Sequence, residues 1–192
     1  MSNKGRLIVL SGPSGVGKGT IVSQVVKQYD LQLSISATTR QPGKGEQNGV
    51  NYWFMDRCEF EEMVEKGQFL EYADVFGNLY GTRKDKTDQM LEQGKPVILE
   101  IDVQGGLQVK DKYPDAVMIF ILPPDMQQLE QRIRGRGRDT EDTIKVRLAK
   151  AQKEIEIGKE HYTHFVVNDK LEDAVNNVIE IIKTVDTGKN AC

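Results

Sequence analysis

The sequence predicts an α/β fold: a parallel sheet core flanked by helices, entered through a P-loop type of turn. Three observations predict it. The stretch SGPSGVGKGT, Ser11 to Thr20, joins a short apolar run to a helical pattern. Apolar runs then alternate with helical patterns along the chain, as strands covered on both faces do. Two segments break this rhythm, residues 37–88 and 126–157, and read as an inserted lobe of short strands and an arginine-rich helical lid.

Arg6 to Leu10 is the first strand. Val22, Val25, Val26 and Tyr29 recur at i, i+3, i+4 and i+7, which marks an amphipathic helix. Val97 to Ile101, Ala116 to Leu122 and Phe165 to Val167 are further apolar strands, with helical patterns between them. Leu171, Val175, Val178, Ile179 and Ile182 mark the last helix. One domain, 1–192, follows, with a core of 5–36, 89–125 and 158–185. The lobe carries Tyr52, Trp53, Phe54, Tyr72, Phe76 and Tyr80, of which Trp53 and Phe54 are expected to be packing residues. Its one short helix opens at Asp56 with Glu59 three later, a capping-box-like start. A core with two insertions suggests an enzyme that closes.

Composition narrows the function. The chain has 192 residues, 38% hydrophobic and 29% charged, a soluble balance for one α/β domain. Its net charge of −3 offers no general field for nucleic acid. The longest apolar run, Ala116 to Leu122, is too short to span a membrane, and Lys4 and Arg6 lead straight into a strand rather than a signal peptide. Cys58 and Cys192 form no disulfide framework or metal spacing. A cytoplasmic protein is expected, a monomer or weak homo-oligomer, with no membrane or nucleic-acid partner.

The glycine-rich stretch carries the first chemistry. Gly12, Gly15 and Gly17 let the backbone turn its N–H groups inward, and these cradle an anion together with the following helix N-terminus. Lys18 would reach the β- and γ-phosphates of a nucleotide. The alternative is a chance glycine-rich turn, which the flanking strand and helix oppose. The pattern asks for Ser or Thr after the lysine, to bind magnesium. Gly19 stands there and Thr20 follows one place late. In VILEID, Glu100 and Asp102 lie two apart at a strand end, where period two puts both on one face. Ligands of open parallel sheets sit at such ends, so either acid could hold magnesium directly or through water. Magnesium keeps several waters and needs few protein ligands, which makes Gly19 tolerable, with Thr20, phosphate oxygens and water completing the shell. The alternative is an ordinary strand-end charge.

RIRGRGR, Arg132 to Arg138, supplies a third feature, with Arg147 further on. Arg132 and Arg136 share a helix face if the helix survives Gly135. Alone, the cluster fits a solvated basic face. With a phosphate loop elsewhere, arginines of this kind stabilise a transferring phosphoryl group. In the lobe, Arg40, Lys44, Tyr52 and Tyr80 could grip a second phosphate.

Together these residues resemble the guanylate kinase family. SGPSGVGKGT, the S-x-S-x-T-T-R stretch at 34–40, GEQNGVNYWF, FLEYADVFGNLYGT, LEIDVQG, FILPP, RGRG and VVND occur in the family's order over about residues 5–185. Adenylate kinases, similar in plan, commonly also read G-K-G-T in this loop, so the resemblance makes Gly19 a functional variant. It implies that 37–88 is a GMP-binding lobe. ATP phosphates would lie on Gly12, Pro13, Ser14, Gly15, Val16, Gly17, Lys18, Gly19 and Thr20, with Asn168 near the adenine. Ser36, Glu71, Thr82 and Asp102 would line the guanine pocket. Arg40, Tyr52 and Tyr80 would hold the GMP phosphate, and Arg132, Arg136 and Arg147 would act from the lid with Lys18. Magnesium would accompany ATP as cofactor. The chemistry of Glu71 agrees: guanine N1–H and its 2-amino group both donate to a carboxylate. Adenine offers neither, and a site of that kind rejects the wrong base by roughly 10⁴-fold.

One position departs from the family pattern. A basic residue, mostly Arg, usually stands three places after the TTR arginine; here it is Gly43, with Lys44 beside it. Lysine lacks the planar bidentate fork, so weaker GMP binding is expected, with the chemical step less affected. Two rival readings remain at this point. A sugar-phosphate kinase on the same scaffold is opposed by Glu71, Thr82 and Ser36, which suit a base. A catalytically dead module that binds protein ligands is opposed by Lys18, the lid arginines and the absence of flanking interaction domains. A nucleic-acid-binding role is opposed by the overall acidity.

Overall fold

The computed structural model describes residues 4–187 except 76, 136 and 138, and the side chains only to 185. Arg136 and Arg138 of the arginine cluster, Phe76 and Cys192 therefore lie outside the described residues. Five strands form an all-parallel sheet: β1 (Leu7–Ser11), β2 (Gln32–Leu33), β7 (Val97–Glu100), β8 (Val117–Leu122) and β9 (His164–Val167), in the order β2-β7-β1-β8-β9. The central strands are apolar up to their C-terminal ends, Ser11 in β1 and Glu100 in β7, because both faces are covered. Ile8 and Leu10 face one core with Ile21, Val25, Val175 and Val178. Leu7 and Val9 face the other with Val109, Phe120 and Ile155. The helices on the first face are α1 (Lys18–Gln28) and α7 (Leu171–Thr187); on the second lie α4 (Val103–Lys112) and the C-terminal end of α6 (Glu141–His161). The expected strands and helices all form, shifted by a residue at several ends. The added edge strand, Gln32–Leu33, is two residues long and half polar, so no apolar run announces it.

The lobe is a four-stranded mixed sheet, in the order β4 (Trp53–Phe54), β3 (Ala37–Thr38), β6 (Asn78–Arg83), β5 (Phe69–Val75). It also holds α2 (Arg57–Glu65), whose N-cap Asp56 accepts from the Glu59 amide as its sequence predicts. Its own core is small: Ala37, Phe60, Phe69 and Leu79, with Phe60 and Phe69 stacked at 4.3 Å between ring centroids. At roughly 1.5–3 kcal/mol for each large buried side chain, so few residues cannot hold the lobe alone. It is tied to the main body by β5. Leu70 turns into the main core, the Lys112 ammonium donates to the Leu70 carbonyl at 2.7 Å, and the Gln108 amide pairs with both main-chain groups of Tyr72. Trp53 is half-buried against the lobe core. Phe54 is half-buried too, but packs on Tyr52 and under Arg40 rather than in that core.

α3 (Lys84–Glu92) leads from the lobe back to the main sheet. The lid segment consists of α5 (Met126–Arg134) and the long α6, joined by Arg134, which pairs with Glu130 and Glu141. α5 ends at Arg134 with Gly135 as its C-cap, and the face expected to join Arg132 to Arg136 runs to a residue outside those described.

Candidate functional site

The turn between β1 and α1 is a main-chain construction. Gly15 and Gly17 adopt left-handed φ of 88° and 101°, which side chains resist. A turn of this hand directs successive amides into one concavity at the positive end of α1. The loop is braced from behind. A Cβ on Gly17 would lie 2.6 Å from the Asn168 amide nitrogen, and that amide donates to the Val16 carbonyl at 2.8 Å. Arg132 donates to the Asn168 carbonyl at 2.8 Å and to the Val16 carbonyl at 3.4 Å. Lys18 Nζ bends back over the loop to the Gly12 carbonyl at 2.6 Å.

In front of the loop opens a cleft of about 630 Å³. The loop contributes Gly12, Ser14 and Lys18 to its walls; the lobe contributes Ser36, Tyr52, Glu71 and Tyr80; β7 and the turn after it contribute Glu100 and Asp102; α6 contributes Arg147. Glu71 is 5% exposed. Its Oε1 accepts from the Thr82 hydroxyl at 2.6 Å, and its Oε2 passes so close to α4 that a Cβ on Gly105 would stand 2.5 Å away. Burial pushes the Glu71 carboxyl up to about 7, with the Thr82 hydrogen bond opposing and Asp102 adding to the rise. A charge held this close to neutrality gains most from ligand donors.

Glu100 is also raised by burial, with Lys18 opposing. A Cβ on Gly19 would lie 3.3 Å from Glu100 Oε1. The carboxylate thus borders the place where the loop pattern usually puts a hydroxyl. β7 ends at Glu100, so the period-two argument does not reach Asp102. That residue is instead the N-cap of α4, its Oδ1 accepting from the Gly105 amide at 2.8 Å. Both acids still face the cleft.

At the outer end of the lobe, Arg40 lies 5.4 Å over the Tyr52 ring, and Tyr52 meets Tyr80 edge-on at 5.9 Å. Arg40 NH2 donates to both carboxylate oxygens of Glu46 at 2.9 Å. That pairing holds the guanidinium even more firmly charged and draws the Glu46 carboxyl down. Glu46 also takes the Gly43 amide at 2.6 Å.

A glycine-shaped loop and a buried acid in one cleft narrow the comparison with known proteins. The profile of the family described as guanylate kinase matches residues 4–185. The chain belongs to the guanylate kinase family. It is 50% identical to the guanylate kinase of Clostridium tetani over 93% of this chain and 86% of that one, and 51% identical to that of Enterococcus faecalis over 95% and 90%. The crystal structure of guanylate kinase from Anaplasma phagocytophilum superposes with a TM-score of 0.77 at 31% identity, covering 95% of this chain and 86% of that one. A gluconokinase from Sinorhizobium meliloti shares the fold alone, with a TM-score of 0.52 at 13% identity.

Within this guanylate kinase fold, the cleft gathers ten of the residues singled out in the sequence: Gly12, Ser14, Lys18, Ser36, Tyr52, Glu71, Tyr80, Glu100, Asp102 and Arg147. Thr82 stands behind Glu71, and Arg40 beside the two tyrosines. Arg132 and Asn168 are on the far side of the loop, where they brace it. Thr20 is exposed in the first turn of α1 and does not line the cleft. Lys150 and Glu154 line the cleft unannounced by any motif. Their signal was their spacing from Arg147, three and seven residues on, which puts all three on one helical face. Glu46, the partner of Arg40, was likewise missed.

Proposed function

We propose that the chain transfers the γ-phosphoryl group of ATP to GMP, giving ADP and GDP, in purine nucleotide metabolism and GMP recycling. The observation that carries this reading is one cleft lined by both the glycine loop with Lys18 and the buried Glu71. ATP phosphates lie on the loop amides, and Lys18 exchanges the Gly12 carbonyl for phosphate oxygens. Asn168 and Arg132 hold the loop's shape near the adenine end. Guanine N1–H and its 2-amino group donate to Glu71, whose orientation Thr82 fixes, with Ser36 and Asp102 alongside. The GMP phosphate meets Arg40, Tyr52 and Tyr80.

The acceptor is itself a phosphate oxygen, so no strong base is needed. Catalysis comes from alignment and from positive charge at the transferring group, supplied by Lys18, Arg147 and the lid arginine Arg136, while Arg132 keeps the loop in shape from behind. Closing of the lobe and the lid, residues 37–88 and 126–157, excludes water.

Magnesium fits this site. No group of three or more His, Cys, Asp or Glu side chains forms a metal cage among the described residues, but an ion that keeps most of its water needs only one or two carboxylates. Glu100, beside Gly19 and Lys18, is the residue best placed, with Asp102 next and Thr20 more distant. When bound, the ion neutralises and orients the β- and γ-phosphates. No helix among the described residues is long and apolar enough to cross a membrane, and both substrates are cytoplasmic metabolites, which supports a cytoplasmic location.

The test is ADP release from ATP and magnesium with GMP, AMP, a sugar phosphate or no acceptor. GMP-dependent release supports the reading. Equal release with every acceptor, or none with GMP, contradicts it.

A further inference from the structure

The base of α6 meets the phosphate loop at two places outside the machinery assigned above. Tyr162, just past the end of α6, donates from its buried hydroxyl to Ser11 Oγ at 2.7 Å. Ser11 Oγ donates in turn to the Asp102 carbonyl at 3.2 Å. Two turns earlier, Glu154 is 6% exposed and lines the cleft beside Ser14 and Lys18. Its Oε2 has no hydrogen-bond partner among the described residues. A carboxylate buried in this way is unfavourable for folding unless its charge is put to use.

The surroundings show what the use is. Arg147, Lys150 and Glu154 share one face of α6 and all line the cleft. Lys150 Nζ stands 3.8 Å from Glu154 Oε1. The Ser14 main-chain amide and the Lys18 and Lys150 charges face the carboxylate and partly oppose the upward push of burial on it. Below Glu154 the helix is fixed: Ile155 is in the main core and Gly158 is pressed on the Phe120 ring. Above it, Ile144 and Ala151 pack in the first core, so Glu154 sits on an α6 held on both sides, on the face that carries Arg147.

Resting on the guanylate kinase reading, we propose that Glu154 is a positioning residue for phosphoryl transfer. It holds the Ser14 edge of the phosphate loop and the Lys150–Arg147 face of α6 in one arrangement. No bond or proton change is assigned to it. Its effect passes through the loop and Arg147, so the donor side and the chemical step depend on it, while the guanine pocket does not.

The experiment is steady-state kinetics of the full chain with Glu154→Gln, Glu154→Asp and Lys150→Met, alongside thermal melting. Glu154→Gln should lower kcat by roughly ten- to a hundredfold, with the GMP KM within about twofold of the parent. Glu154→Asp should recover part of the loss, and Glu154→Gln combined with Lys150→Met should be no worse than Glu154→Gln alone, as for groups acting as a unit. A folded Glu154→Gln variant with parental kcat overturns the proposal, as does a kcat loss matched by the GMP KM. Should Glu154→Gln not fold, Lys150→Met reads the tether from its exposed partner: a selective kcat loss supports the proposal, and parental kcat overturns it. A parent chain with no GMP-dependent ADP release would instead refute the guanylate kinase reading.

Discussion

Under the proposed function, the working groups on the donor side of the cleft are main-chain amides, shaped by Gly15 and Gly17 and braced by Asn168 and Arg132. On the proposed acceptor side they are side chains, Glu71, Thr82, Arg40, Tyr52 and Tyr80, presented by a lobe whose buried core among the described residues is Ala37, Phe60, Phe69 and Leu79. The first is rigid because it is a strand–helix junction of the main sheet. The second would draw its selectivity from side chains that each read one feature of the proposed acceptor. A main-chain site tolerates a change such as Gly19 in place of a hydroxyl, since Glu100 already borders that position. A side-chain site has no such reserve, and a missing fork at Gly43 leaves Arg40 with Glu46 as its partner.

The largest effect expected is on the donor side, where one side chain does act. Lys18→Ala should lower kcat by at least about 10³-fold, with the melting temperature little changed, since the Lys18 hydrogen bonds to the Gly12 and Pro13 carbonyls stay within one loop. Near-parental activity in a folded variant would break the comparison by removing the lysine from the cradle.

On the acceptor side, Glu71→Gln should raise the GMP KM roughly a hundredfold, because a charge-assisted acceptor of two donors is replaced by an amide that matches only one. The same variant should be more stable. Glu71 ionises at about 7 in the fold against an ordinary 4.5. The stability that goes with its protonated form is complete below pH 4.5 and lost as pH rises through 7, about 3 kcal/mol in all. Thermal melts at pH 5 and pH 8 check this: the gain of Glu71→Gln should appear at pH 8 and shrink at pH 5. The parent's GMP KM should rise roughly tenfold per unit as pH falls below about 7, and the variant's should follow only the ionisation of GMP itself.

The smallest effect sharpens the comparison. Gly43→Arg should lower the GMP KM about fivefold with kcat little changed. A Cβ there lies 3.1 Å from Glu46 Oε2, at the far end of a side chain that can move, and a second guanidinium would share that carboxylate and release Arg40. An unchanged KM would mean that the missing fork is irrelevant.

The same contrast explains what the sequence made legible. The donor loop needs glycines at fixed spacing between a strand and a helix, so its chemistry is written locally. The parallel core is legible because Leu7 to Leu10 are buried on both faces. Asp102 misled because D-V-Q-G continues an apolar strand in pattern, while the Gly105 amide makes the aspartate a helix cap. Glu154 sits in KAQKEIEIGKEH, a segment that reads as solvated. Its burial comes from tertiary packing, which no local pattern records. Glu46 was missed for a like reason: its partner lies six residues back, across a turn.

The central claim is that a donor cradle of amides faces an acid that selects guanine. Isothermal titration of the protein with GMP and AMP at pH 8, where Glu71 is ionised, tests it most directly. GMP should bind at one site and AMP should be weaker by roughly 10⁴-fold, below detection. AMP binding within tenfold of GMP would contradict the account.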